Sequence, residues 1–415
     1  MAVIKPFKAV RPAAQLAAQV ASLPYDVMNS AEARIMAEGN PYSFLHVSRA
    51  EIDMPEGVDE HSSDVYQKAK ANFDSLVKQQ TLIQDNQPLL YIYAQVMNGR
   101  QQIGLVACSS VEDYFNNVIK KHELTRPEKE KDRIDHMLAL QAHVGPIFLT
   151  YHAHPTVDGL INDFISANKP VYDFTATDGI QHTVWVINDK SVIEKLVSLF
   201  KTEIPFTYIA DGHHRTASAA KVGQAMRAQN PNHTGQEEYN FFLSVLFPHN
   251  QLAILDYNRL VKDLNGLTED GFLQKISEKF SVEPLKNETE AKPGKLHDFG
   301  MYLNSQWYRL TAKPGTFTTG PIGILDISIL QDNLLTPVLG INDPRTDKRI
   351  DFVGGIRGLK ELQRRVDSGE MKVAFALYPV SLQQLMDIAD TGNIMPPKST
   401  WFEPKLRDGL FSHLF

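Results

Sequence analysis

Two β-rich runs, PLLYIYAQVM and RQQIGLVACSS, are joined by Asn98 and Gly99 alone. Both joining residues tolerate positive φ, and an Asn-Gly pair between such runs is the strongest short-range signal for a type I′ hairpin. An antiparallel hairpin in this place rules out a sheet that is parallel throughout. The segments around it alternate between helical and strand spacing, so this part of the chain reads as α+β rather than doubly wound. With 415 residues, 43% of them hydrophobic, there is apolar material for two or three cores. We place a boundary near residue 250, giving an α+β domain over 1–250 and a second α+β domain over 251–415.

Local signals predict further elements. AVIKPFKAVRP reads as a short strand ending at Pro12. Ser30 is placed to cap a helix over Ala31–Glu38 that stops at Gly39, and Tyr42–Val47 reads as a strand. Val65, Ala69, Phe73 and Leu76 recur at helical spacing. HTVWVIND predicts a strand and KSVIEKLVSLF a helix. Further on, EDGFLQKISEKFSVEPL predicts a helix running into a strand, and FGMYLNSQWYRLTAK a hairpin turning near Asn304 and Ser305. MKVAFALYPV reads as a strand before a helix that ends near Gly392. The single cysteine, Cys108, sits among Leu105, Val106 and Ala107 and reads as a buried strand residue rather than a reactive thiol. The N-terminus lacks the apolar core of a signal peptide, and no run approaches the ~18 apolar residues of a membrane span. The expected setting is cytoplasmic.

The densest chemistry lies in YIADGHHRTASAAK, residues 208–221. Phe206–Ala210 predicts a short strand, and the alanine-rich run beyond Gly212 a helix with Ala219, Val222 and Met226 on its core side. Asp211 suits the N-cap, Gly212 allows close backbone approach, and His213, His214 and Arg215 fall in the first turn. Cations there oppose the helix dipole by roughly 0.3–1 kcal/mol each. They make sense if an anion completes the site, because free N–H groups, an arginine fork and imidazole donors all suit phosphate. Two other readings stand beside this one. Asp211, His213 and His214 could ligate a metal, although adjacent helical residues diverge by about 100°. Alternatively, Asp211 caps the helix and the histidines bond locally. Asp211 is thus a cap, a metal ligand or both.

HELTRPEKEKDR puts His122, Glu123, Arg126, Lys129, Lys131 and Arg133 within residues 122–133. A charge run is usually a solvated helix face. The functional reading has Arg126 or Arg133 supplementing phosphate binding, and His122 or Glu123 moving a proton. In LPYDV, Asp26 is either a turn residue or a carboxylate that contacts a substrate hydroxyl or Mg2+. Taking a proton from a hydroxyl needs a carboxylate or imidazole within about 3 Å. Asp26, Glu123 and His214 are the catalytic candidates. MPPKSTWFEPK holds Trp401, Phe402 and three prolines, and reads as a docked segment or a packed lid. Its Lys398, Ser399 and Thr400 would offer a cation and two hydroxyls to a phosphate. His152 and His154 in YHAHP lack a third ligand and read as structural, and GGIRGL fits neither a P-loop nor a Rossmann turn.

Several of these stretches carry a resemblance. KPFKAVRP (5–12), LPYDV (23–27), HELTRPEKEKDR (122–133), GPIFLTY (145–151), ADGHHRTASA (210–219), LDISILQ (325–331) and MPPKSTWFEPKLRDGL (395–410) resemble the signatures of the family called domain of unknown function 1015. They run from one end of the chain to the other. DGHHR also resembles the strand-to-helix motif of the ParB/sulfiredoxin-like superfamily, particularly its free-serine kinase branch. That likeness implies a ParB/sulfiredoxin-like N-terminal part with large insertions, followed by an α+β C-terminal part. It implies donor phosphates held by Asp211, Gly212, His213, His214 and Arg215, with ATP, ADP or pyrophosphate as donor, Mg2+ beside it, and free serine as the first acceptor to test.

The reading carried forward is a phosphotransferase acting on a small hydroxyl compound, with Arg126 and Lys398 as supplementary cations and no membrane partner. Two alternatives share the same anion site: a nucleotide-sensing regulator without catalysis, and a ParB-like nucleotide-dependent DNA-binding regulator. A formal net charge of −7 counts against the last, since non-specific nucleic-acid binding draws on an excess of Lys and Arg.

Overall fold

The computed structural model describes residues 1–415. In it Asn98 and Gly99 have φ of 52° and 77°, and the strands Leu90–Met97 and Arg100–Ser110 pair antiparallel from Met97↔Arg100 to Tyr91↔Val106. This hairpin lies inside a nine-stranded sheet. On one side of it follow Phe241–Pro248, Ile147–Tyr151, Thr207–Asp211 and Ile119–Lys120, and on the other Gln181–Ile187 and Tyr172–Thr175. Ile4–Lys5 adds to Arg100–Ser110. Two pairings are parallel, Phe241–Pro248 with Ile147–Tyr151 and Thr207–Asp211 with Ile119–Lys120. The others are antiparallel.

Alternation along the strands gives this sheet two different faces. Leu90, Ile92, Leu149 and Ile209 enter the main apolar core, where Ile161, Leu196, Phe200, Ala219 and Val222 come from the helices Pro155–Ala167, Lys190–Glu203 and His213–Gln229. Tyr91, Tyr93 and Gln95 point the other way, and the end of the chain covers them. Phe411 packs on Tyr91 and Tyr93 at 5.3 and 6.2 Å between centroids, and the Gln95 side chain donates to Lys405 O at 2.8 Å. Cys108 is buried in its strand.

The chain forms two units, 1–252 with 404–415, and 253–403. Residues 404–415, read from sequence as the close of the second domain, belong to the first unit. Leu410 and Phe411 are fully buried, and Ser412 and Asp408 exchange backbone hydrogen bonds with Val10 and Ser22. From Asp408 onward the terminus is therefore a fixed part of the first unit; MPPKSTWFEPK, read as a docked segment or a packed lid, ends before this stretch. The second unit is an insertion whose outgoing strand Ile254–Leu255 and returning strand Trp401–Phe402 pair antiparallel. Its six-stranded sheet is antiparallel throughout, in the order Phe280–Pro284, Gln306–Ala312, Asp298–Leu303, Val373–Ala376, Tyr257–Val261, Ile350–Gly354. Leu362 and Val366 of the helix Gly358–Asp367 close its core with Tyr302 and Trp307. Asn304 and Ser305, at φ 49° and 60°, make the expected turn.

Val65, Ala69, Phe73 and Leu76 are buried on the helix Ser63–Lys78. Two local expectations change. The helix Ser30–Ala37 is capped by Asn29, in a capping box with Glu32, one residue before the expected Ser30. Tyr42–Val47 is not a strand: Leu45–Ser48 is a helical turn, and Phe44 and Val47 pack with Phe73. A short apolar run does not by itself separate strand from buried helix. No helix is long and apolar enough to cross a membrane.

Candidate functional site

The strand Thr207–Asp211 leads straight into the helix His213–Gln229. The register slips between Ile209, opposite Leu149, and Asp211, opposite Phe148. Strict alternation would send Asp211 to the side of Ile209 and the apolar core, whereas a bulge re-aims the side chain at the strand end. Its carboxylate meets Lys405 Nζ at 3.2 Å and Arg215 Nη2 at 3.7 Å. Burial works to raise this carboxyl's pKa, but Lys405 and Arg215 outweigh it and hold the group at about 2.

The expected capping role of Asp211 does not occur. Gly212, at φ 95°, occupies the N-cap position, and no side chain bonds the helix end. Asp211 Oδ1 accepts from the Gly212 N–H at 2.9 Å, outside the helix. Thr216 N–H begins the ladder at Gly212 O, 2.8 Å. The N–H groups of His213, His214 and Arg215 therefore have no intrahelical acceptor.

Arg215 is 5% exposed. Its Nη1 donates to Pro146 O at 2.7 Å. Two glycines make room for it: a Cβ on Gly212 would lie 3.2 Å from Arg215 Nε, and one on Gly145 would lie 3.5 Å from Arg215 Cδ and 3.3 Å from Asp408 Oδ1. Burial opposes the guanidinium's charge, but Asp26, Asp211 and Asp408 keep it firmly protonated. Arg215 Nε and Asp408 Oδ1 are both buried and have no hydrogen-bond partner within the protein. Such atoms cost about 1–3 kcal/mol each and in a native fold call for a ligand, water or ion.

The His122–Arg133 segment borders the same helix end. His122, fully buried, meets His213 edge-on with 4.4 Å between centroids. Burial keeps both imidazoles neutral, at about 3 each. Neither His122 nitrogen nor His213 Nε2 has a partner within the protein. Glu123 Oε2 lies 3.7 Å from His213 Nδ1. His214 is half-buried; burial and then Arg126 lower its pKa, against Glu123, Asp26 and Glu130. Arg126 stands at the N-cap of the helix Pro127–Leu140. The run is not a simple solvated face, because Glu130, Asp132 and His136 are buried. Glu130 pairs with Lys221, and its carbonyl accepts from Ser218 at 3.0 Å, tying the two helices together. Arg133 pairs with Asp132 and lies 3.9 Å over the ring of Tyr25, the residue before Asp26.

Asp26, Glu123, Arg126, Asp211, Gly212, His213, His214 and Arg215 thus gather around one helix N-terminus. Lys398 belongs to the second unit, where it is exposed, has φ 59° and holds its ammonium 5.6 Å over the Tyr257 ring. Sequence reasoning overlooks Gly145, Lys405 and Asp408. The only signal for the last two is a charged Lys-x-Arg-Asp set among Leu406, Leu410 and Phe411. The bland reading of YHAHP matches the contacts: His154 bonds Glu203 at 2.9 Å, and His152 packs on Tyr208 and His249. No group of three or more His, Cys, Asp or Glu side chains is arranged to hold a metal ion. A shallow cavity of about 480 Å³ lined by Arg34, Ile35, His46 and Asp53 includes none of the gathered residues. A polar cavity of about 40 Å³ lies beside Tyr25 and Arg133, with room for water rather than substrate. Taken together, the site can hold an anion through main-chain N–H groups and a fixed guanidinium, with His214, Glu123 and Asp26 at hand for proton transfer.

The sequence matches the family described as "Protein of unknown function (DUF1015)" over residues 4–328. No curated protein matches it. Among solved structures, partial likenesses include a free serine kinase in complex with AMP, at 12% identity and TM-score 0.36 over 74% of this chain and 91% of that one. A conserved hypothetical protein from Pyrococcus furiosus aligns at 14% and 0.35, over 75% and 95%. SbnI with C-terminal truncation from Staphylococcus aureus aligns at 11% and 0.34, over 74% and 87%. These scores are too low to carry a function across.

Proposed function

The chain belongs to the DUF1015 family of proteins of unknown function, and from the geometry of its own site we propose that it is a phosphotransferase using a nucleotide or pyrophosphate to phosphorylate a small hydroxyl compound. One observation carries this reading: a buried arginine with an unpartnered Nε, held beneath an uncapped helix N-terminus. Phosphoryl transfer depends on positioning and charge neutralisation more than on covalent chemistry, and these parts are suited to that. The donor's phosphates rest on the N–H groups of His213, His214 and Arg215 and on the Arg215 guanidinium, with Arg126 at the rim. Lys405 and Gly145 join the set, Lys405 by fixing Asp211 and Gly145 by leaving Arg215 its room.

Asp26 is exposed and faces both Arg215 and His214, which makes it the first choice for taking the acceptor's proton; Glu123 is the second. Mg2+ would arrive coordinated largely by the donor's phosphates and water. Asp211 is a poor ligand for it, since Lys405 and Arg215 already stand at 3.2 and 3.7 Å. Free serine is the first acceptor to test, because DGHHR resembles the motif of that kinase branch. The same resemblance supports a ParB/sulfiredoxin-like origin for the first unit.

The test is a ³¹P NMR time course with Mg2+ and ATP, ADP or pyrophosphate, with and without serine and related hydroxy compounds, beside His214→Ala. A new phosphomonoester that requires the pool and is lost in the variant is the expected result. Donor resonances broadened by the protein without turnover would favour a nucleotide sensor. The absence of both turnover and broadening would sink the phosphate reading.

A further inference from the structure

The carboxyl group of Asp408 has no part in the scheme above, yet its position is among the most constrained in the first unit. Its backbone is bonded twice to Ser22, N–H to O at 3.0 Å and O to N–H at 3.1 Å. That bridge clamps it to the stretch leading into Tyr25 and Asp26. Gly409, at φ 86°, follows immediately, and a Cβ there would lie 2.7 Å from Phe44. The residue is 2% exposed, and Oδ1 finds no partner. Around Gly145 it shares with Arg215 a space that a single methyl group would fill.

We infer that Asp408 is a positioning residue for the phosphate-binding arginine, and that its proton decides whether one more carboxylate, besides those of Asp211 and Asp26, competes with a ligand for the Arg215 guanidinium. The inference rests on the phosphate reading of the site and names its regulation. A neutral carboxyl can sit beside Arg215 without claiming the guanidinium. An ionised one is a buried anion next to a buried cation, and the two draw together at the ligand's expense. The groups that face Asp408 come from four elements: Arg215 from the helix His213–Gln229, Arg133 from Pro127–Leu140, Asp26 with the Tyr25 backbone from the turn Tyr25–Val27, and the Tyr93 phenol from the strand Leu90–Met97. Burial and Asp26 favour the proton, whereas Arg215, Arg133 and a hydrogen bond from the Tyr25 backbone oppose it. The balance puts the carboxyl at about 7. Since ionisation adds a further carboxylate beside the guanidinium, anion affinity falls as pH rises through that value, and binding below it retains the proton.

The experiment uses the full chain and pyrophosphate. Affinity is measured by calorimetry at pH 6 and pH 8 for wild type and Asp408→Asn, in which the side chain is permanently neutral. Comparing the two proteins at each pH cancels the ligand's own ionisation. The variant should match wild type at pH 6 and bind about tenfold more tightly than wild type at pH 8, the factor that a midpoint one unit below gives. A ratio near one at both values overturns the inference. In parallel, carboxyl ¹³C NMR of aspartate-labelled protein follows the group without any ligand. One resonance should titrate near neutrality, vanish in the variant and share its midpoint with a shift of the Arg215 Nε signal. Titration in the ordinary carboxylate range also overturns it. If pyrophosphate binds neither protein, the phosphate reading falls by itself, and the shared midpoint or its absence still decides whether Asp408 controls the arginine. Should the variant not fold, calorimetry of wild type at pH 7 in two buffers of different ionisation enthalpy decides. Proton uptake beyond that of free pyrophosphate supports the inference, and none overturns it.

Discussion

Arg215 keeps its charge where burial alone would remove it, and the residues that permit this come from four distant parts of the chain. Gly212 is the most exacting of them, because it must be left-handed and also pass close to the guanidinium. Gly212→Ala should cost roughly 1–2 kcal/mol for the left-handed backbone, and its Cβ, 3.2 Å from Nε, should displace the arginine. Urea unfolding and pyrophosphate calorimetry should therefore both respond, whereas a purely conformational role would leave affinity intact. Asp211 tests the charge balance from the other side. Its folded carboxyl, at about 2, lies below the ordinary value near 3.9. The pairing with Lys405 thus adds stability above about pH 4 and loses it as pH falls towards 2. The stability difference between wild type and Asp211→Asn, followed by urea unfolding from pH 5 to 2, should shrink across that window. A constant difference would show that the ion pairs do not set it.

At the scale of elements, a strand, a bulge and a helix generate the site, and the end of the chain locks it. The helix His213–Gln229 can lie against its neighbours because of Gly223, where a Cβ would come within 2.5 Å of Tyr239 O. Its N-terminal half is buried almost all round, so its first turn is held by packing on several sides. The segment from Pro404 covers the opposite sheet face with Phe411, placing Lys405 beside Asp211 and Asp408 beside Arg215. Phe411→Ala removes a fully buried ring from Tyr91 and Tyr93 and should destabilise the first unit by about 3–5 kcal/mol. Denaturant unfolding monitored at Trp185, within this unit, checks the figure. If the terminus were a mobile lid, the same change would cost little.

For the whole molecule the division into units makes two predictions. Ile254–Leu255 and Trp401–Phe402 are paired neighbours, so the ends of the insertion leave and return side by side. Joining Leu252 to Pro404 through a short Gly/Ser linker should therefore give a cooperatively folding protein that binds pyrophosphate as the full chain does. A folded product with much weaker binding would assign part of the site to residues 253–403, with Lys398 the first residue to examine. The second unit carries its own pH signature. Burial, assisted by Asp298, raises Asp326 to about 7 despite the hydrogen bond that it accepts from His297 N–H at 2.8 Å. A raised carboxyl contributes its stability fully below about pH 4 and loses it as pH climbs to 7. In the isolated 253–403 unit, Asp326→Asn should flatten the fall in stability between pH 4 and 7, read by thermal unfolding.

What the amino-acid sequence determines by itself here is local. Asn98-Gly99 and Asn304-Ser305 make hairpins because those residues accept positive φ. Ser63–Lys78 is a helix because its apolar residues share one face. DGHHR stands out because cations in a first turn oppose the helix they begin. Asp26 and Glu123 could be named as candidates because a carboxylate is one of the few groups able to take a proton from a hydroxyl, but nothing local showed that they meet Arg215 at one helix end. The tertiary structure decides what depends on distance. The carboxylate of Asp211 turns from cap to ion pair because a bulge and a left-handed glycine re-aim it, and register is a property of paired strands. Tyr42–Val47 becomes a helical turn because its apolar residues find a helix, not a sheet, to pack on. Lys405 joins Asp211, and Asp408 joins Arg215, across almost half the chain. No periodicity in the sequence encodes that meeting, because it is made by burying Leu410 and Phe411 against a sheet built from residues hundreds of positions earlier.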